Sequence, residues 1–324
     1  MSPATSNKAR FDYLDMGPAA PDVQAEILAG LQAPQKRINS KFFYDDIGSA
    51  LFEQITELPE YYPTRTERGI LQQHASEIAA VIGEQRVIIE PGAGSCEKIR
   101  LLLNSLRPRA YAPLDIAGDF LEQAARTLQQ EVPWLHVAAL RADFSNLLTL
   151  PEQLPDAPRV LFYPGSTLGN FLPLEASAFL RHARQLIGAD GRILLGIDLD
   201  KDSAILEAAY NDSAGITARF NLNALAHINQ LLNADFAVEQ FQHLAFYNRA
   251  HTRIEMYLQS RTAQQVTIAG QRLSLAAGER IHTEYSCKYS IDTFTSLCRA
   301  ANLEVEHYWT DPQHWFAVFC LRPD

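Results

Sequence analysis

The chain has 324 residues, of which 47% are hydrophobic and 20% are charged, so it is long enough to bury one large core or two smaller ones. Its formal net charge of -10 makes nucleic acid and anionic membranes unfavourable partners, because both are themselves negatively charged. No run of 18 or more apolar residues appears in the sequence, which argues against a membrane-spanning helix.

The N-terminal segment and the cysteines both indicate a reducing compartment. Residues 1–16 lack the apolar core of a signal peptide. The chain contains no CxxC pair, so neither a disulfide framework nor a structural zinc site is expected. The four cysteines are Cys96, Cys287, Cys298 and Cys320. We therefore expect a cytoplasmic, monomeric protein with reduced thiols and no bound metal.

The first predicted element is a short amphipathic helix within residues 20–32. From residue 87 onward, apolar runs alternate with helical stretches. The runs cover residues 86–90, 110–115, 135–140, 159–165 and 192–198, and the helices between them cover residues 97–106, 117–130 and 173–187. This alternation predicts a parallel sheet with helices on both faces.

The alternation stops near Asp200, and residues 203–232 are predicted to be helical. Segments that alternate at period two follow, which predicts antiparallel strands with a hairpin turn at residues 269–270. A strand–turn–strand unit ends the chain. The sequence thus predicts an α/β protein with a doubly wound domain and a second, mixed α+β domain. The first would comprise residues 65–200 and 288–324, and the second residues 12–64 and 201–287.

A glycine-containing loop follows the first buried run, in the segment IIEPGAGSCEK (residues 88–98). Gly92 and Gly94 allow the backbone to approach a ligand, and the helix that follows favours a polar or anionic group at its N-terminus. A dinucleotide fingerprint would need a third glycine where Glu97 stands. S-adenosylmethionine, which has no phosphate, is therefore the better candidate, and Lys98 is expected to meet the carboxylate of its amino-acid tail.

Acidic residues at the ends of the next two strands support a nucleoside-like ligand. Asp115 ends the second strand, where such folds place an acid against ribose hydroxyls. Asp143 follows the third strand and is expected to bind the adenine amino group, with the Phe144 ring stacking nearby. Helix capping would explain each acid separately, but it does not explain the set.

The segment RIHTEYSCKYS (residues 280–290) combines a histidine, a glutamate and a cysteine. This composition suggests either a metal site or a strand with one face turned to a ligand. Glu284 and Ser286 lie two residues apart, so on a strand they project from the same face. His282 and Cys287 supply no second ligand pair, which argues against zinc.

Long segments now reveal a family resemblance. They are FFYDDIGSALFEQITELPEYYPTRTE (42–67), EPGAGSCEK (90–98), PLDIA (113–117), FYPGSTLGNF (162–171) and RIHTEYSCKYS (280–290). From Phe42 to its end, the chain resembles the histidine Nα-methyltransferases of ergothioneine biosynthesis. The resemblance implies a Rossmann-like class I methyltransferase domain with a substrate-binding domain. It also implies S-adenosylmethionine-dependent trimethylation of the α-amine of L-histidine, which gives hercynine.

The resemblance also implies which residues bind the cofactor and the substrate. The cofactor contacts fall on Gly92, Lys98, Asp115, Asp143 and Phe144. The substrate contacts fall on Tyr44, Tyr61, Asn170, Tyr210, Met256, Glu284, Tyr285 and Ser286. The chain departs from the family where it has PGAG in place of Leu-Gly-Ser-Gly. Tyr285 is a second departure, since it replaces a smaller apolar residue, and we expect it to face away from the ligand.

Two of these residues are assigned to catalysis. Methyl transfer from a sulfonium needs a free lone pair on the amine, which is mostly protonated at pH 7. The carbonyl oxygen of Asn170 can accept an N–H bond from the amine and aim its lone pair at the methyl group. Tyr61 is the expected route for removal of the proton, directly or through water.

The remaining assignments concern recognition. The resemblance implies that the hydroxyls of Tyr44 and Tyr210 hold the substrate carboxylate and that Met256 lines the imidazole pocket. Glu284 and Ser286 would pair the two imidazole nitrogens, one accepting an N–H and the other donating or accepting. Two alternatives stay open: an N-methyltransferase of the same fold that acts on another amino acid, such as a tryptophan derivative, and an inactive S-adenosylmethionine-binding partner of a larger complex.

Overall fold

The computed structural model describes residues 10–17, 22–116, 118–144 and 150–324, which fall into two compact units. The first unit contains Thr66–Leu199, Tyr289–Asp324 and the described residues before residue 20. The second contains Asp200–Lys288 and the described residues from 20 to Arg65.

The regular elements are as follows. The helices are α1 (Val23–Gln32), α2 (Asp46–Thr56), α3 (Tyr62–Gln73), α4 (Ala75–Ile82), α5 (Glu97–Leu106), α6 (Gly118–Glu131), α7 (Pro173–Ile187), α8 (Ser203–Tyr210), α9 (Ile216–Leu232) and α10 (Ile291–Ala300). The strands are β1 (Phe11–Asp15), β2 (Val87–Pro91), β3 (Ala110–Asp115), β4 (Val137–Arg141), β5 (Arg159–Tyr163), β6 (Arg192–Asp198), β7 (Phe241–Asn248), β8 (Arg253–Ser260), β9 (Gln264–Ile268), β10 (Gln271–Leu275), β11 (Arg280–Cys287), β12 (Leu303–Thr310) and β13 (Phe316–Pro323).

An eight-stranded sheet organises the first unit, with strand order β1-β4-β3-β2-β5-β6-β13-β12. The strands from β1 to β6 run parallel, and β13 and β12 add an antiparallel hairpin at one side. Strand order reverses direction at β2. Since crossovers are right-handed, α5 and α6 lie on one face of the sheet and α7 on the other. The predicted Rossmann-like α/β fold is confirmed.

The structure corrects the prediction at the N-terminus. Residues 12–64 were assigned to the second domain, but β1 pairs in parallel with β4, from Phe11 opposite Val137 to Asp15 opposite Arg141. The segment Phe11–Asp15 therefore belongs to the first unit. Its short, partly polar sequence carries little strand signal, because it forms an edge strand that is only half-buried. The start predicted for the helix at residues 117–130 lies outside the described residues, and α6 begins at Gly118.

The second unit combines helices with two antiparallel sheets. One sheet has the order β11-β8-β7, and the other is the β9–β10 hairpin. The predicted turn at residues 269–270 is confirmed: Ala269 and Gly270 both have positive φ, at 48° and 79°. Positive φ at both central positions is the geometry of the tight hairpin turn that matches strand twist.

A β-bulge in β11 decides which side chains share a face. His282 lies opposite Tyr257 and Glu284 lies opposite Met256, so Thr283 is the extra residue. A single bulged residue shifts the alternation of side chains by one position. Glu284 and Ser286 consequently share one face, whereas His282 joins Tyr285 on the other, with 3.8 Å between their ring centroids.

The four cysteines are buried, and none of them forms a disulfide. Burial raises the pKa of the Cys96, Cys298 and Cys320 thiols to about 12, which makes them poor nucleophiles and poor metal ligands. Within the described ranges, no helix combines the length and apolar character needed to cross a membrane.

Gly48 in α2 provides a test of the packing in the second unit. A Cβ at Gly48 would overlap the carbonyl oxygen of Phe43, and backbone cannot easily move away. We expect Gly48→Ala to lower the free energy of unfolding of the second unit by about 1–3 kcal/mol, measured by urea denaturation. The control is Gly69→Ala in α3, where a Cβ meets no described atom within 4 Å. Alanine should stabilise that helix by up to about 1 kcal/mol. A neutral Gly48→Ala would contradict the packing described.

Candidate active site

The glycine loop predicted for the cofactor joins β2 to α5 in the first unit. Gly92 and Gly94 have φ of 65° and 51°, a backbone region that disfavours other residues. The N–H of Gly92 donates to the Leu114 carbonyl at 2.7 Å, which holds the loop against β3. A Cβ on either glycine would meet no described atom within 4 Å, so the space beside the loop is open. Binding of S-adenosylmethionine against this backbone stays a prediction, and the open space beside the loop is compatible with it.

The predicted nucleoside-binding residues lie at the same end of the sheet. Asp115 is the last residue of β3, and the N–H of Ala142, directly after β4, donates to the Asp115 carbonyl at 3.0 Å. Asp143 is the next residue, and the Phe144 ring follows it. That ring packs against Phe179 and His182 of α7, at centroid distances of 5.2 and 5.1 Å. The structure thus brings the glycines, both acids and Phe144 to the carboxyl ends of neighbouring parallel strands, where open α/β sheets bind ligands.

Lys98, predicted to meet the cofactor's carboxylate, forms an ion pair with Glu67. Its Nζ lies 2.6 Å from Oε2 of Glu67, whose side chain is only 1% exposed. Both carboxylate oxygens of Glu67 also accept the N–H of Gly165, at 2.9 Å. Since an ammonium has three donors, the ion pair leaves Lys98 able to bind a second acceptor.

Sequence reasoning missed Glu67, although one signal pointed to it. Gly196 interrupts the buried apolar run of β6, and a Cβ there would overlap Oε1 of Glu67. A glycine inside a buried strand often marks the close approach of another group. The Glu67 carboxylate occupies the space that this glycine leaves.

Glu90, at the end of β2, is a second buried acid that the sequence analysis did not single out. It is 3% exposed, and the Tyr111 hydroxyl donates to its Oε2 at 2.6 Å. Burial raises the pKa of Glu90 to about 8, against the opposing effects of Tyr111 and the Lys98 charge. At neutral pH this carboxyl is mostly protonated, so it does not compete with Glu67 for Lys98.

The loop that carries Asn170 follows β5 and is held by its own hydrogen bonds. Ser166 has φ of 57°, and its Oγ accepts the N–H of Asp198 at 2.9 Å. The Thr167 hydroxyl donates to the Pro164 carbonyl at 2.9 Å. Asn170 ends the short 3₁₀ turn that follows and is half-buried. Together with the Gly165–Glu67 bond, these contacts fix the loop to the cofactor end of the sheet.

The predicted substrate residues other than Asn170 lie in the second unit. Tyr61 and Tyr210 pack edge to face, with ring centroids 6.4 Å apart. Phe52, which the sequence analysis did not single out, joins them to Tyr44: its ring lies 5.6 Å from Tyr44 and 6.4 Å from Tyr61. Three predicted tyrosines that are distant in sequence therefore form one aromatic cluster.

Glu284 lies near enough to this cluster for its charge to act on Tyr44. Burial is the largest cause that raises the pKa of Tyr44 well above 10, and the negative charge of Glu284 comes next, followed by Tyr61 and Tyr210. Tyr44 as a whole residue is nevertheless 47% exposed, so part of it reaches the surface. Its hydroxyl stays protonated at neutral pH and can donate a hydrogen bond.

Glu284 and Ser286 share one face of β11. Met256 lies opposite Glu284 on the neighbouring strand β8. The Tyr210 hydroxyl donates to Ser286 Oγ at 2.8 Å, which joins this pair to the tyrosines. Lys288, another residue that sequence reasoning missed, donates to the same Oγ from its Nζ at 2.6 Å. Burial raises the pKa of Glu284 to about 7, and the Lys288 charge opposes that rise.

The Tyr285 side chain points away from Glu284 and Ser286. Because of the bulge, its ring lies on the opposite face of the sheet, tilted against the His282 ring and 3.9 Å from the Arg253 guanidinium. This is the outward orientation expected from the alternation, and the assignment of Tyr285 as a substrate residue stays a prediction. His282 is on that face too, where burial lowers its pKa to about 4. No group of three potential metal ligands was found among the described residues. That a metal is not required stays a prediction.

The sheet order, the glycine loop and the acids at successive strand ends define a class I S-adenosylmethionine-dependent methyltransferase. Residues 23–323 match the model of a family described as "Histidine-specific methyltransferase, SAM-dependent". The chain belongs to this family, as the resemblance implied.

Named relatives extend the comparison. The chain is 40% identical to the histidine N-alpha-methyltransferase of Mycolicibacterium smegmatis over 95% of its own length and 97% of that protein. It is 40% identical to the enzyme of the same name from Mycobacterium tuberculosis, over 89% and 91% of the two chains. A more distant relative, 26% identical over 92% of each chain, is the 4-dimethylallyltryptophan N-methyltransferase of Aspergillus fumigatus.

The contact between Gly196 and Glu67 allows a test of the cofactor site. We expect Gly196→Ala to displace the Glu67 carboxylate, and with it Lys98 and the Gly165 loop. If overpacking of about 1–3 kcal/mol is felt fully in the cofactor site, binding of S-adenosylhomocysteine, measured by calorimetry, should weaken roughly 5- to 150-fold. Adding Glu67→Asp, which shortens the acid by one methylene, should restore part of the affinity. If Gly196→Ala binds like the wild type, Glu67 does not organise this site.

Proposed function

We propose that the protein transfers three methyl groups from S-adenosylmethionine to the α-amine of L-histidine and so forms hercynine. One observation carries the choice of substrate: Glu284 and Ser286 project from the same face of β11 into the cluster formed by Tyr44, Tyr61 and Tyr210. An acid and a hydroxyl at this spacing match the two nitrogens of an imidazole ring.

The proposed pocket would recognise the imidazole through its nitrogens. Ionised Glu284 would accept the ring N–H, Ser286 would pair the other nitrogen, and Met256 would pack against the ring. Ser286 is only 4% exposed, and its oxygen already accepts bonds from Tyr210 and Lys288, so a ligand without a ring acceptor would leave the buried Ser286 O–H without a partner. Such a group costs about 1–3 kcal/mol, which favours histidine over amino acids without a second ring nitrogen.

Tyrosine hydroxyls would hold the substrate carboxylate. The raised pKa of Tyr44 supports this role, because a neutral phenol donates a hydrogen bond without adding charge. Tyr210 would be the second donor. Neutral donors bind the carboxylate without adding a second positive charge near the sulfonium of the methyl donor, as an arginine would.

Asn170 and Tyr61 would act on the α-amine. S-adenosylmethionine supplies the methyl group from its sulfonium. The Asn170 amide oxygen would accept an N–H bond from the amine and hold its lone pair in line for the displacement. Tyr61 would relay to solvent the proton that the amine must lose before each attack: its oxygen would accept that proton, directly or through a water molecule, as its own hydroxyl proton passes to solvent. Asn170 suits all three transfers, because its amide oxygen does not require a fixed number of N–H groups on the amine. A carboxylate in its place would stabilise the protonated ammonium, which cannot attack the methyl group.

A related N-methyltransferase activity on a tryptophan derivative is the alternative substrate class. The Aspergillus fumigatus relative named above carries a name of this kind. An indole offers one N–H and no ring acceptor, so it would leave either the Glu284 carboxylate or the Ser286 O–H without a bond from the ligand. The buried polar pair therefore favours histidine.

The first test is turnover of the candidate substrates. Purified protein with S-adenosylmethionine and L-histidine should give a product that carries three added methyl groups, identified by mass spectrometry. A parallel reaction with tryptophan should give no methylated product. Methylation of tryptophan without methylation of histidine would overturn the proposed substrate, and no turnover of either would favour an inactive binding protein.

The second test separates the two faces of β11. We expect Glu284→Gln to weaken histidine binding roughly 10- to 100-fold, because the amide loses the charge that strengthens the bond to the ring N–H. S-adenosylhomocysteine affinity should stay unchanged. Tyr285→Phe alters the adjacent residue on the opposite face and is the matched control, for which both affinities should equal those of the wild type. Equal losses for both ligands in Glu284→Gln would mean that the imidazole assignment is wrong.

A further inference from the structure

One aromatic ring of α7 packs against rings from two different segments of the proposed site. The Phe179 ring stacks on the Tyr163 ring at the end of β5 and on the Phe171 ring, with centroids 4.6 and 5.6 Å apart. It also lies 5.2 Å from the Phe144 ring, which follows β4. Phe171 directly follows Asn170, and Phe144 is the predicted adenine contact. Phe179 therefore joins the segment assigned to the cofactor and the segment assigned to the substrate amine.

The sheet itself does not hold Phe144 close to Asn170. The strand order is β4-β3-β2-β5, so two strands lie between the strand ends from which these residues extend. The Phe144 ring nevertheless reaches α7, where it meets Phe179 and, edge to face, His182 at 5.1 Å. Phe179 and His182 share one face of the helix because they are three positions apart. These ring contacts supply a link between the two segments that the hydrogen bonds of neighbouring strands do not.

On the other side, Phe179 is connected to Asn170 through a very short stretch of chain. Only two residues separate Asn170, the end of its 3₁₀ turn, from the start of α7. The N–H of Phe171, the first of them, donates to the Leu168 carbonyl at 3.2 Å and closes that turn. Since the Phe171 ring stacks on Phe179, the ring of Phe179 helps to set the backbone next to Asn170.

Ring packing is suited to positioning because its geometry is specific. Aromatic pairs prefer offset-stacked or edge-to-face arrangements, so a ring fixes the orientation of its neighbours as well as their distance. An aliphatic side chain at position 179 would fill part of the same volume without these preferences. Phe179 is itself half-buried, so it is not one of the fully buried core side chains of the first unit.

We propose that Phe179 is a positioning residue that couples the adenine contact of Phe144 to the orientation of Asn170. This role rests on the proposed function, in which Asn170 holds the substrate amine. Loss of the ring should act on two quantities: the affinity for the cofactor, through Phe144, and the rate of methyl transfer, through Asn170. A purely structural role would lower the folded fraction, which reduces the number of binding sites and leaves the affinity of each site unchanged.

The test is Phe179→Leu in the full-length protein. We expect binding of S-adenosylhomocysteine, measured by calorimetry, to weaken roughly 2- to 10-fold, the order of magnitude of one aromatic contact. The kcat for histidine methylation, measured by mass spectrometry at saturating concentrations of both substrates, should fall by a similar factor. The control Tyr308→Leu removes a half-exposed ring of the same unit, which packs against Phe319 at 5.5 Å. It should leave both quantities at the wild-type level.

Double variants identify the route of each effect. Phe144→Leu combined with Phe179→Leu should bind S-adenosylhomocysteine no more weakly than Phe144→Leu alone, because residues that act through one contact give non-additive losses. Phe171→Leu combined with Phe179→Leu should likewise have the kcat of Phe171→Leu alone. Additive losses in either pair, or wild-type values in Phe179→Leu, would overturn the inference.

Two further measurements keep the outcomes separate. Should Phe179→Leu fail to fold, judged by circular dichroism, Phe179→Met replaces it with the same expectations, because methionine also lacks the ring. Failure of the proposed function has its own signature, since the wild-type protein would then not methylate histidine, whatever the affinities of the variants for S-adenosylhomocysteine.

Discussion

The single extra residue at Thr283 is the constraint on which the proposed substrate site depends. In a regular strand His282, Glu284 and Ser286 would all project from one face, and the segment would present a histidine beside an acid. The bulge moves His282 to the other face, where it stacks on Tyr285. What remains on the inner face is an acid and a hydroxyl, with an ammonium behind them. One backbone irregularity thus separates a possible metal-binding arrangement from a ring-binding one.

Each unit has a lysine whose charge acts on a buried carboxylate. In the first unit Lys98 forms an ion pair with Glu67, and in the second the charge of Lys288 opposes the effect of burial on the pKa of Glu284. Glu67 also accepts the Gly165 N–H, and Lys288 also donates to the Ser286 hydroxyl. A buried ion pair adds little net stability, because desolvation offsets the attraction between the charges. Its value here lies in fixing the orientation of neighbouring donors and acceptors.

Much of the fold could be predicted from the sequence because parallel strands buried on both faces appear as apolar runs. The strands β2 to β6 and the helices between them follow this pattern closely. β1 could not be found in this way, since a short edge strand is only half-buried. The glycine loop and the acids at strand ends were also predictable from their positions. Glu67 and Phe52 could not be predicted, because each takes its role from partners that are distant in sequence. Lys288 could not be predicted either, because a polar motif does not reveal that its side chain is buried.

Gly196 shows how a catalytic scaffold can limit its own stability. A glycine in a central strand gives up the packing and conformational restriction that a β-branched residue would provide, at a cost of about 0.5–1 kcal/mol relative to alanine. Here the missing side chain is the volume that the Glu67 carboxylate fills. A designer who sought a more thermostable variant would find this position attractive by strand propensity alone. It is a place where local sequence preference and the needs of the ligand site oppose each other, so sheet stability and cofactor-site geometry cannot be improved independently there.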